Sequence, residues 1–324
     1  MKVLIVRFSS IGDVVLTTPV IRCIHNQKKD VEVHYFTKSS YRSILENNPY
    51  IHKLWLLDDN NWDDLIAMMK EEKFSKIIDL HNNLRTLKLQ LALGVHTYRV
   101  NKINIQKWLY TNLKINLLPK VHIVDRYLQA AGVLRVQNDG QGLDYFISDD
   151  TAVPEEINLP SAYICVAIGG QHETKKLPTT KLSELCNKIS QSVVLIGGPE
   201  DQEAGEFIAG SNPNVMNLCG KLSINQSALV IQRSGAVITH DTGMMHIAAA
   251  YEKHIFSIWG NTVPRFGMTP YKAGDKSHIF EVEGLSCRPC SKIGFEKCPK
   301  GHFKCMKNQD LNAVAERLER LDIG

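Results

Sequence analysis

Short apolar runs alternate with longer amphipathic segments along the chain. Runs such as residues 3–6 and 193–196 consist of Val, Leu and Ile without interruption, which is typical of strands covered on both faces of a parallel sheet. The segments between such runs repeat apolar residues at helical spacing. Because strand and helix patterns alternate, the sequence predicts βαβ units and an α/β fold.

Two groups of these elements are separated by an irregular, proline-containing stretch at residues 148–160. The first group has predicted strands at residues 3–6, 31–36, 53–57 and 76–80, and predicted helices at 14–26, 40–46 and 63–72. The second has predicted strands at residues 163–168, 193–196, 215–218, 236–239 and 255–259, and predicted helices at 180–190, 201–209, 225–233 and 243–250. We therefore predict two open α/β domains, residues 1–155 and 156–308.

The last segment, residues 309–324, has a different pattern. Apolar residues recur there at helical spacing, with Glu and Arg between them, at Leu311, Val314, Leu318 and Leu321. This spacing predicts a C-terminal amphipathic helix that packs on one of the domains.

Length and composition agree with two globular domains, since the chain has 324 residues, of which 44% are hydrophobic and 22% charged. The sequence has no run of about 18 apolar residues that would predict a membrane span. Its first residues lack the apolar core and cleavage site of a secretory signal. We expect a cytoplasmic protein.

Charge is unevenly distributed, although the net charge is only +4. Residues 81–124 contain no Asp or Glu but seven basic residues, namely Arg85, Lys88, Arg99, Lys102, Lys107, Lys114 and Lys120. A net charge of this size does not by itself indicate a nucleic-acid-binding protein. The stretch is either a solvated helix face or a surface for an anionic partner, and the lack of acidic residues favours the second interpretation.

The first candidate site follows the first predicted strand, at residues 7–13. Ligands bind at the carboxyl ends of parallel strands, and Gly12 would let the backbone approach one closely. Asp13 would then lie where a ligand binds. A catalytic base at Asp13 and a helix cap at Ser10 or Asp13 are equally compatible with the sequence.

A second candidate site lies at residues 240–250, again where a strand is followed by a helix. The first amides of that helix and its dipole predict an anion site for a pyrophosphate, with Asp241 or Thr242 as the cap and Gly243 leaving the amides accessible. His246, one turn into the helix, either contacts the same anion or is a packed core residue. The Asp-Thr-Gly triplet does not indicate an aspartic protease, because the predicted fold is not β-rich and a second carboxylate is missing.

Two further loops repeat this strand–loop–helix arrangement in the second domain. The loop at residues 169–178 carries Lys175 and Lys176, which would either neutralise charge on a departing phosphate or be solvated surface lysines. The loop at residues 197–201 carries Gly197, Gly198 and Glu200, a pattern compatible with a nucleoside whose ribose hydroxyls meet a carboxylate.

In this order along the chain, residues 3–15, the Lys175/Lys176-Leu-Pro loop, residues 197–200 and residues 241–249 resemble the ADP-heptose:lipopolysaccharide heptosyltransferases of glycosyltransferase family 9. The resemblance implies a GT-B fold, with two Rossmann-like domains facing a central cleft. It also implies that the N-terminal domain binds the acceptor and the C-terminal domain an ADP-sugar, and that the anomeric carbon is inverted without a catalytic metal.

The resemblance assigns roles to residues of this chain. Asp13 becomes the general base, and Lys175, with Lys176 as a rival, the lysine that stabilises the phosphate. The donor-binding residues implied are Gly197, Gly198, Glu200, Asp241, Thr242, Gly243, Met244 and His246. The acceptor-binding residues implied are Ser9, Ser10, Gly12, Arg85 and Lys88. Leu177 replaces the tryptophan that precedes the proline in the family, so a stacking or packing contact would be lost there.

Eight cysteines fall into two classes. Cys23, Cys165, Cys186 and Cys219 are isolated in apolar surroundings and are expected in the core. Four others lie within 19 residues, with His302 among them: Cys287, Cys290, Cys298 and Cys305. This cluster predicts a structural role, filled either by zinc or by disulfides formed on oxidation.

The expected partners are an ADP-sugar and an anionic lipopolysaccharide acceptor at the inner face of the cytoplasmic membrane, with no nucleic acid, no catalytic cofactor and a monomeric state. A related transferase with another nucleotide sugar or acceptor is the nearest alternative. A non-catalytic nucleotide-sugar-binding protein is the other, and the presence of Asp13 and Lys175 counts against it. A dehydrogenase is excluded because neither domain's first strand is followed by G-x-G-x-x-G.

Overall fold

A computed structural model describes residues 1–321 of the protein. This part of the chain forms two compact units. Unit 1 comprises Met1–Ile103 and Val121–Ser148. Unit 2 comprises Asn104–Lys120 and the chain from Asp149 onward.

Unit 1 is built on a five-stranded sheet in which each neighbouring pair of strands is parallel. Its strands are β1 (Lys2–Val6), β2 (Glu32–Lys38), β3 (Lys53–Leu57), β4 (Lys76–Asp79) and β5 (Thr97–Arg99). They lie in the order β3-β2-β1-β4-β5, so the first strand is central. Residues 3–6 of β1 are fully buried, which explains their uninterrupted apolar pattern.

Seven helices lie along the chain through the first 131 residues. They are α1 (Ile11–Val15), α2 (Thr18–Gln27), α3 (Arg42–Leu45), α4 (Trp62–Glu71), α5 (Leu84–Leu93), α6 (Asn104–Leu113) and α7 (Ile123–Ala131). The first five and α7 belong to unit 1, and α6 belongs to unit 2.

The helix predicted at residues 14–26 is two helices, α1 and α2, with a break before Pro19. Proline has no N–H to donate to the preceding turn. The hydroxyls of Thr17 and Thr18 donate instead to the carbonyls of Val14 and Val15, at 2.7 and 2.8 Å. The break therefore sets α1 apart as a short helix directly after the candidate loop at residues 7–13.

Strand β5 and helices α5, α6 and α7 were not predicted from the sequence. Strand β5 has only three residues, too few to show an alternating pattern. On α5, Leu84, Leu87 and Leu91 are exposed and only Thr86 and Leu89 are buried, so its leucines do not mark the side that packs on the unit. A sequence pattern identifies a helix poorly when its apolar residues face solvent.

Unit 2 contains a six-stranded sheet, again with parallel neighbours. Its strands are β6 (Ile164–Ala167), β7 (Val193–Ile196), β8 (Val215–Asn217), β9 (Ala236–His240), β10 (His254–Trp259) and β11 (Ser277–Glu281). They lie in the order β11-β10-β9-β6-β7-β8. The edge strand β11 was not predicted, because its burial is only intermediate and its residues are mixed in polarity.

The remaining helices of unit 2 are α8 (Thr179–Cys186), α9 (Gln202–Gly210), α10 (Ile224–Arg233), α11 (Gly243–Ala250), α12 (Lys304–Lys307) and α13 (Leu311–Glu319). Helix α13 buries Leu311, Val314 and Leu318 in the core of unit 2 and exposes Glu316 and Arg317. The Asp310 carboxylate caps it by accepting the N–H of Ala313 at 3.0 Å. Of the segment predicted as helix, residues 322–324 lie outside the described residues.

The predicted domain limits need one correction. Residues 104–120 were placed in the N-terminal domain, 1–155, but they group with unit 2, and unit 1 ends at Ser148. The reason is local: the Lys114 ammonium donates to the carbonyls of Cys287 and Pro289, at 3.1 and 2.8 Å, and Tyr110 packs on Phe266. A chain segment that leaves one unit and returns to it gives no composition change that a single sequence could reveal.

The two parallel sheets agree with the α/β class predicted from the sequence. Within residues 1–321, none of the helices combines the length and apolar character needed to cross a membrane.

Candidate active site

The candidate loop of unit 1 begins at the carboxyl end of β1 and ends in the first turn of α1. Arg7 is buried, and its guanidinium lies 2.5 Å from the Asp13 carboxylate. The Ser10 hydroxyl donates to the same carboxylate oxygen at 3.2 Å. Ser10 is the N-cap residue of α1 but makes no side-chain cap hydrogen bond. The structure thus favours a held carboxylate over a helix cap, the alternative that the sequence left open.

Arg7 is fixed by several partners besides Asp13. Its guanidinium donates to the carbonyls of Ser9 and Leu80, at 2.6 and 2.7 Å, and to the Tyr127 hydroxyl at 3.1 Å. Burial opposes its charge, but the neighbouring Asp13 carboxylate raises the pKa of Arg7 above its ordinary value. Asp13 is therefore held beside a permanent cation in one orientation.

The next loop of unit 1, after β4, lies against this one. Phe8 packs edge-on against the His81 ring, with ring centroids 5.5 Å apart, and the Arg85 guanidinium lies 5.5 Å from the Phe8 ring centre. Burial, together with the charge of Arg7, lowers the pKa of His81 to about 3, so its ring is neutral at pH 7. The structure thus brings Arg85 close to the loop that contains Ser9, Ser10 and Gly12, and the acceptor role of these residues stays a prediction.

Lys88 has a different location from Arg85. It lies one turn further along α5, where its ammonium is 5.0 Å from the ring centre of Trp62 at the start of α4. The structure shows a contact with the Asp13 loop for Arg85, through Phe8, whereas the ring contact of Lys88 is with Trp62. The predicted acceptor role of Lys88 therefore rests on its exposed positive charge alone.

In unit 2, the lysine loop after β6 meets the start of α11. The Lys175 ammonium lies 2.7 Å from the Asp241 carboxylate and donates to the Asp241 carbonyl at 3.0 Å. The Thr262 hydroxyl donates to the same carboxylate oxygen at 2.8 Å. Lys175 is thus held at the helix end that the sequence predicts as the pyrophosphate site, and is not a solvated surface lysine.

The N-terminus of α11 has the features of an anion site. Its N-cap residue, Thr242, makes no side-chain cap hydrogen bond, and Gly243 and Met244 are partly exposed. The first amides and the helix dipole are therefore available to a negative group. His246 is 2% exposed, less than the other predicted donor-binding side chains, so the structure places it among core residues.

The glycine pair after β7 packs against two acidic side chains. A Cβ at Gly197 would lie 2.9 Å from the side chain of Asp201, and one at Gly198 would overlap the Glu200 carboxylate. Asp201 is buried and accepts the Gly198 N–H at 3.0 Å. Larger residues would displace these carboxylates, which explains why this loop needs glycine.

Lys176 has different partners from Lys175. Its ammonium lies 2.5 Å from Glu173 and 3.4 Å from the Asp201 carboxylate. Burial opposes its charge, but these two carboxylates raise its pKa above the ordinary value. Lys176 also lines a cavity of about 540 Å³, of which Lys175 and the α11 residues are not part. The two adjacent lysines therefore have different carboxylate partners, Asp241 for Lys175 and both Glu173 and Asp201 for Lys176.

A buried histidine anchors the lysine loop. The His240 ring accepts the N–H of Leu177 at 3.0 Å. Burial, and then the charge of Lys176, lower the pKa of His240 to about 3, so the ring is neutral and able to accept. Leu177 itself is 3% exposed and belongs to the core of unit 2, so the residue that replaces the family's tryptophan packs inward.

Comparison with known proteins identifies the family. A family model described as glycosyltransferase family 9 (heptosyltransferase) matches residues 62–298. The chain belongs to glycosyltransferase family 9. This confirms the family predicted from the sequence motifs, and with it the assignment as a glycosyltransferase.

Curated relatives cover most of this glycosyltransferase. Lipopolysaccharide heptosyltransferase 1 of Campylobacter coli is 26% identical over 311 residues, which is 87% of this chain and 89% of the relative. Lipopolysaccharide heptosyltransferase 2 of Escherichia coli is 21% identical over 82% of this chain and 84% of the relative.

Solved structures of low identity show the same fold. The E. coli ADP-heptose lps heptosyltransferase II has a TM-score of 0.71 at 21% identity, with 98% of this chain and 100% of that one covered. E. coli heptosyltransferase WaaC with ADP has a TM-score of 0.70 at 19% identity, covering 98% and 99%. The iron-containing dodecameric glycosyltransferase TibC of enterotoxigenic E. coli has a TM-score of 0.57 at 15% identity, covering 99% and 78%. These likenesses confirm the predicted GT-B fold.

The cysteine cluster of this family 9 glycosyltransferase lies in unit 2. The Cys287 sulfur is 3.9 Å from the His302 ring nitrogen, and the Cys290 thiol donates to the Cys287 carbonyl at 3.0 Å. Burial and the nearby Cys287 thiol raise the pKa of Cys290 to about 12, and burial raises that of Cys305 to about 11. All four are free thiols, so the disulfides considered from the sequence are not formed here.

Four cysteine thiols are suitable ligands for zinc, but their sulfur atoms do not lie close enough together to bind one ion. A tetrahedral zinc with Zn–S bonds of about 2.3 Å requires sulfur atoms about 4 Å apart. Among residues 1–321, Glu32, His34 and His52 are the one group of His, Cys, Asp or Glu whose three ligand atoms all lie within 4.8 Å of one another. Binding zinc at the cysteines would therefore require a local shift of the 287–305 segment.

The Glu32 group was not predicted, and its protonation argues against a metal. The Trp55 indole donates to Nδ1 of His34 at 3.1 Å, so a neutral His34 carries its proton on Nε2. That nitrogen points to the Glu32 carboxylate, 3.6 Å away. In this tautomer Nε2 carries the proton and has no lone pair for a metal, and the group lies where β2 begins, at the opposite end of that strand from the ligand-binding edge.

Several residues that shape the site were not predicted to do so. Arg7 and Asp201 lie inside the quoted motifs, but only the structure shows that each is buried against a residue of the site. His240, the last residue of β9, and Thr262, in the loop after β10, also contact the site. Their contacts join positions that are 63 and 21 residues apart, so no local pattern could reveal them.

Proposed function

We propose that this protein transfers heptose from an ADP-activated donor to the inner core of lipopolysaccharide, with inversion at the anomeric carbon. The observation that carries the proposal is Lys175, whose ammonium is 2.7 Å from Asp241 beside the uncapped N-terminus of α11. A cation and free helix amides at one place suit the diphosphate of a nucleotide sugar. The names of the relatives from Campylobacter coli and E. coli support heptose as the sugar.

The proposed reaction needs one proton acceptor and one stabilised leaving group. Asp13 takes the proton of the acceptor hydroxyl, whose oxygen then attacks the anomeric carbon. The bond from that carbon to the diphosphate oxygen breaks, and ADP leaves with the electron pair. Lys175 and the amides after Thr242 stabilise its growing negative charge, so the proposal requires no catalytic metal.

The donor and acceptor contacts follow from the two loops. In unit 2, Gly197, Gly198 and Glu200 contact the nucleoside, and the residues from Asp241 to Met244 the diphosphate. His246 is buried on α11 and supports this helix end by packing in the core. In unit 1, Ser9, Ser10, Gly12 and Arg85 bind the acceptor, with Lys88 adding positive charge for an anionic lipopolysaccharide at the cytoplasmic membrane surface.

ADP release from purified protein tests this proposal. A Kdo-containing lipid A acceptor is supplied with ADP-heptose, GDP-mannose or UDP-glucose, in excess EDTA, with wild type and Asp13→Ala side by side. We expect release with ADP-heptose alone, unchanged by EDTA. The loss of a general base predicts that Asp13→Ala falls by about 10²- to 10⁴-fold in kcat.

Each of the other outcomes would reject a different part of the proposed function. Activity with another donor only would retain the glycosyltransferase and reject heptose. Loss of activity in EDTA that added Mg²⁺ or Mn²⁺ restores, and Zn²⁺ does not, would reject the metal-free step. An Asp13→Ala variant as active as wild type would reject the base, and no ADP release with any donor would favour another acceptor or a binding protein.

For the cysteine cluster we propose a structural zinc held by Cys287, Cys290, Cys298 and Cys305. The support is four free thiols with a histidine at 3.9 Å from one of them, in a chain without disulfides among its described residues. Elemental analysis of the purified protein, with Cys287→Ser/Cys290→Ser as the comparison, should find about one zinc per chain, lost in the variant. Iron in its place, the metal that TibC contains, would reject zinc, and neither metal would reject the site.

The oligomeric state is proposed to be a monomer. TibC, at 15% identity, is dodecameric, so the fold is compatible with assembly. Light scattering with size-exclusion chromatography should give the mass of one chain, 36.5 kDa, and any multiple of it would reject the proposal.

A further inference from the structure

The contact between Lys175 and Asp241 depends on a loop that lies outside the motifs quoted from the sequence. Residues 260–262 follow β10 directly, and we call them the β10 loop. The buried Thr262 hydroxyl donates to the same Asp241 oxygen that lies 2.7 Å from the Lys175 ammonium. The position of this oxygen, to which Lys175 is bound, is therefore set in part by the β10 loop.

The β10 loop also packs against the loop that carries Lys175. A Cβ at Gly260 would lie 2.7 Å from the carbonyl oxygen of Thr174, the residue before Lys175. Any side chain at this position would push the two backbones apart, so glycine is required. A shift of the β10 loop would therefore move both Lys175 and its carboxylate partner.

One buried guanidinium holds the β10 loop in place. The Arg288 side chain is 6% exposed and donates to the carbonyls of Gly260 and Thr262, at 2.5 and 2.9 Å. It also donates to the Val282 carbonyl and to the Glu281 carboxylate, at 2.7 and 2.8 Å, where β11 ends. Both ends of the β10 loop are thus bonded to one planar group, which fixes their separation.

Arg288 lies between Cys287 and Cys290, in a segment where the sequence drew attention only to the cysteines. Each of its three guanidinium nitrogens donates to a protein oxygen, and none of these oxygens belongs to Lys175 or Asp241. An effect of Arg288 on the reaction would therefore pass through the β10 loop.

We propose that Arg288 is a positioning residue for the transfer reaction. By holding Gly260 and Thr262, it keeps the Lys175–Asp241 pair where the diphosphate leaves. Arg288 itself does not contact the donor. The inference rests on the proposed function, because that function assigns Lys175 to the leaving diphosphate.

Acylation of lysines in the full-length protein tests this geometry without substrate. A water-soluble N-hydroxysuccinimide ester is used in trace amount, and peptide mass spectrometry gives the labelling rate at each lysine. In wild type, Lys175 should react slowly because Asp241 holds its ammonium. Arg288→Lys keeps the charge, but one ammonium cannot bond to all of these carbonyls together. The labelling rate of Lys175 should therefore rise about threefold or more, as for the loss of a hydrogen bond.

Two further variants sharpen the test. Thr262→Val removes the hydroxyl bonded to Asp241 and leaves Arg288 unchanged, so it should also raise the labelling of Lys175, even if Arg288→Lys does not fold. Arg317→Lys is the matched control, since Arg317 is an exposed arginine on α13 of the same unit, and it should label like wild type.

Lys253 is the internal reference in every sample. It is partly buried, donates to the Ser234 carbonyl at 2.8 Å, and precedes β10 at the end opposite to the β10 loop. A rise confined to Lys175 supports the inference. An equal rise at Lys253 would show that Arg288 only stabilises unit 2 and would overturn the inference, as would an unchanged rate at Lys175.

ADP release shows whether Arg288 acts through Lys175. Arg288→Lys should lower kcat about fivefold or more with little change in KM, because the loss is in positioning and not in binding. In a Lys175→Ala background the same substitution should change kcat by less than about twofold, since the group that it positions is already gone. Equal losses in both backgrounds would overturn the inference.

The labelling experiment separates this inference from the proposed function. If wild type releases no ADP with any donor, the proposed function fails, and the labelling of Lys175 still decides whether Arg288 holds it. If wild type is active but neither Arg288→Lys nor Thr262→Val changes the labelling of Lys175, only the role of Arg288 is rejected.

Discussion

The cations of the two units are held in opposite ways. In unit 1, the forked guanidinium of Arg7 contacts two carbonyls, a tyrosine hydroxyl and Asp13 at the same time. In unit 2, the single ammonium of Lys175 ends a flexible stem, and both of its partner atoms belong to Asp241. A planar fork fixes geometry, whereas an ammonium can exchange partners with little rearrangement.

This difference matches what the proposed mechanism requires of each charge. A base must hold one position to meet a hydroxyl, and Arg7 restricts Asp13 to one orientation. Negative charge on a departing diphosphate appears only during the reaction, so its cation should be able to move toward it. In the proposed mechanism, Lys175 would turn to the diphosphate while the Thr262 hydroxyl, 2.8 Å from Asp241, kept that carboxylate hydrogen-bonded.

Among the tests of this comparison between Arg7 and Lys175, the largest expected effect is that of Lys175→Ala. Loss of the cation at the α11 end should lower kcat by about 10²- to 10³-fold, as for the loss of one oxyanion-stabilising donor in other enzymes. Single-turnover ADP release with saturating donor measures it.

Lys176→Ala is the control for this change, because it removes the same charge from the adjacent position. Lys176 pairs with Glu173 and Asp201 and not with Asp241, so we expect less than about a tenfold loss. A larger loss of kcat in Lys176→Ala than in Lys175→Ala would assign the stabilisation of the diphosphate to Lys176. Lys175 could then no longer be compared with Arg7.

Arg7→Lys tests the fixed cation. The substitution keeps a positive charge beside Asp13, but one ammonium cannot replace the contacts to Ser9, Leu80 and Tyr127 together. A lost hydrogen bond to a charged group costs about 1.5–3 kcal/mol, so the free energy of unfolding should fall by that amount or more. Urea denaturation measures it, and kcat should fall in the same variant.

If Arg7→Lys is as stable and as active as wild type, the planar guanidinium is not needed at this position. The proposed difference between a fixed Arg7 and an exchangeable Lys175 would then be wrong. Lys221→Arg is a useful control for the exchange of the two cation types, since Lys221 is exposed and far along the chain from either loop. Its stability should stay within about 0.5 kcal/mol of wild type.

Sequence and structure agree best where local signals are strong. The buried strands show as unbroken apolar runs, and each motif of the site lies at the predicted strand end, because parallel strands place their carboxyl ends at one edge. Most apolar residues of α5 and α6 face solvent, so their spacing does not mark a buried side, and these two helices were not predicted from the sequence. The pairing of Arg7 with Asp13 and of Lys175 with Asp241 depends on how loops meet, which spacing alone does not encode.

The smallest expected effect concerns a feature that the two units share. Each keeps a neutral histidine near a positively charged side chain: His81 by Arg7, and His240 by Lys176, the neighbour of Lys175, both histidines having a pKa of about 3. Since an unfolded histidine titrates near 6.5, the unfolded state binds more protons between those values, and stability falls as the pH drops from about 6.5 toward 3. From pH 7 to 5, His240 alone accounts for about 2 kcal/mol of lost stability.

His240→Gln removes this titration while leaving an amide oxygen able to accept the Leu177 N–H. Urea denaturation at pH 7 and pH 5 should show a smaller decrease in stability than for wild type, by about 2 kcal/mol. His25→Gln, at an exposed position, should leave the decrease unchanged. An unchanged decrease in His240→Gln would mean that His240 is protonated in the folded protein, and so could not accept from Leu177. The loop that carries Lys175 would then be held by ion pairs, as Arg7 is held in unit 1. The contrast between a fixed Arg7 and an exchangeable Lys175 would be weaker.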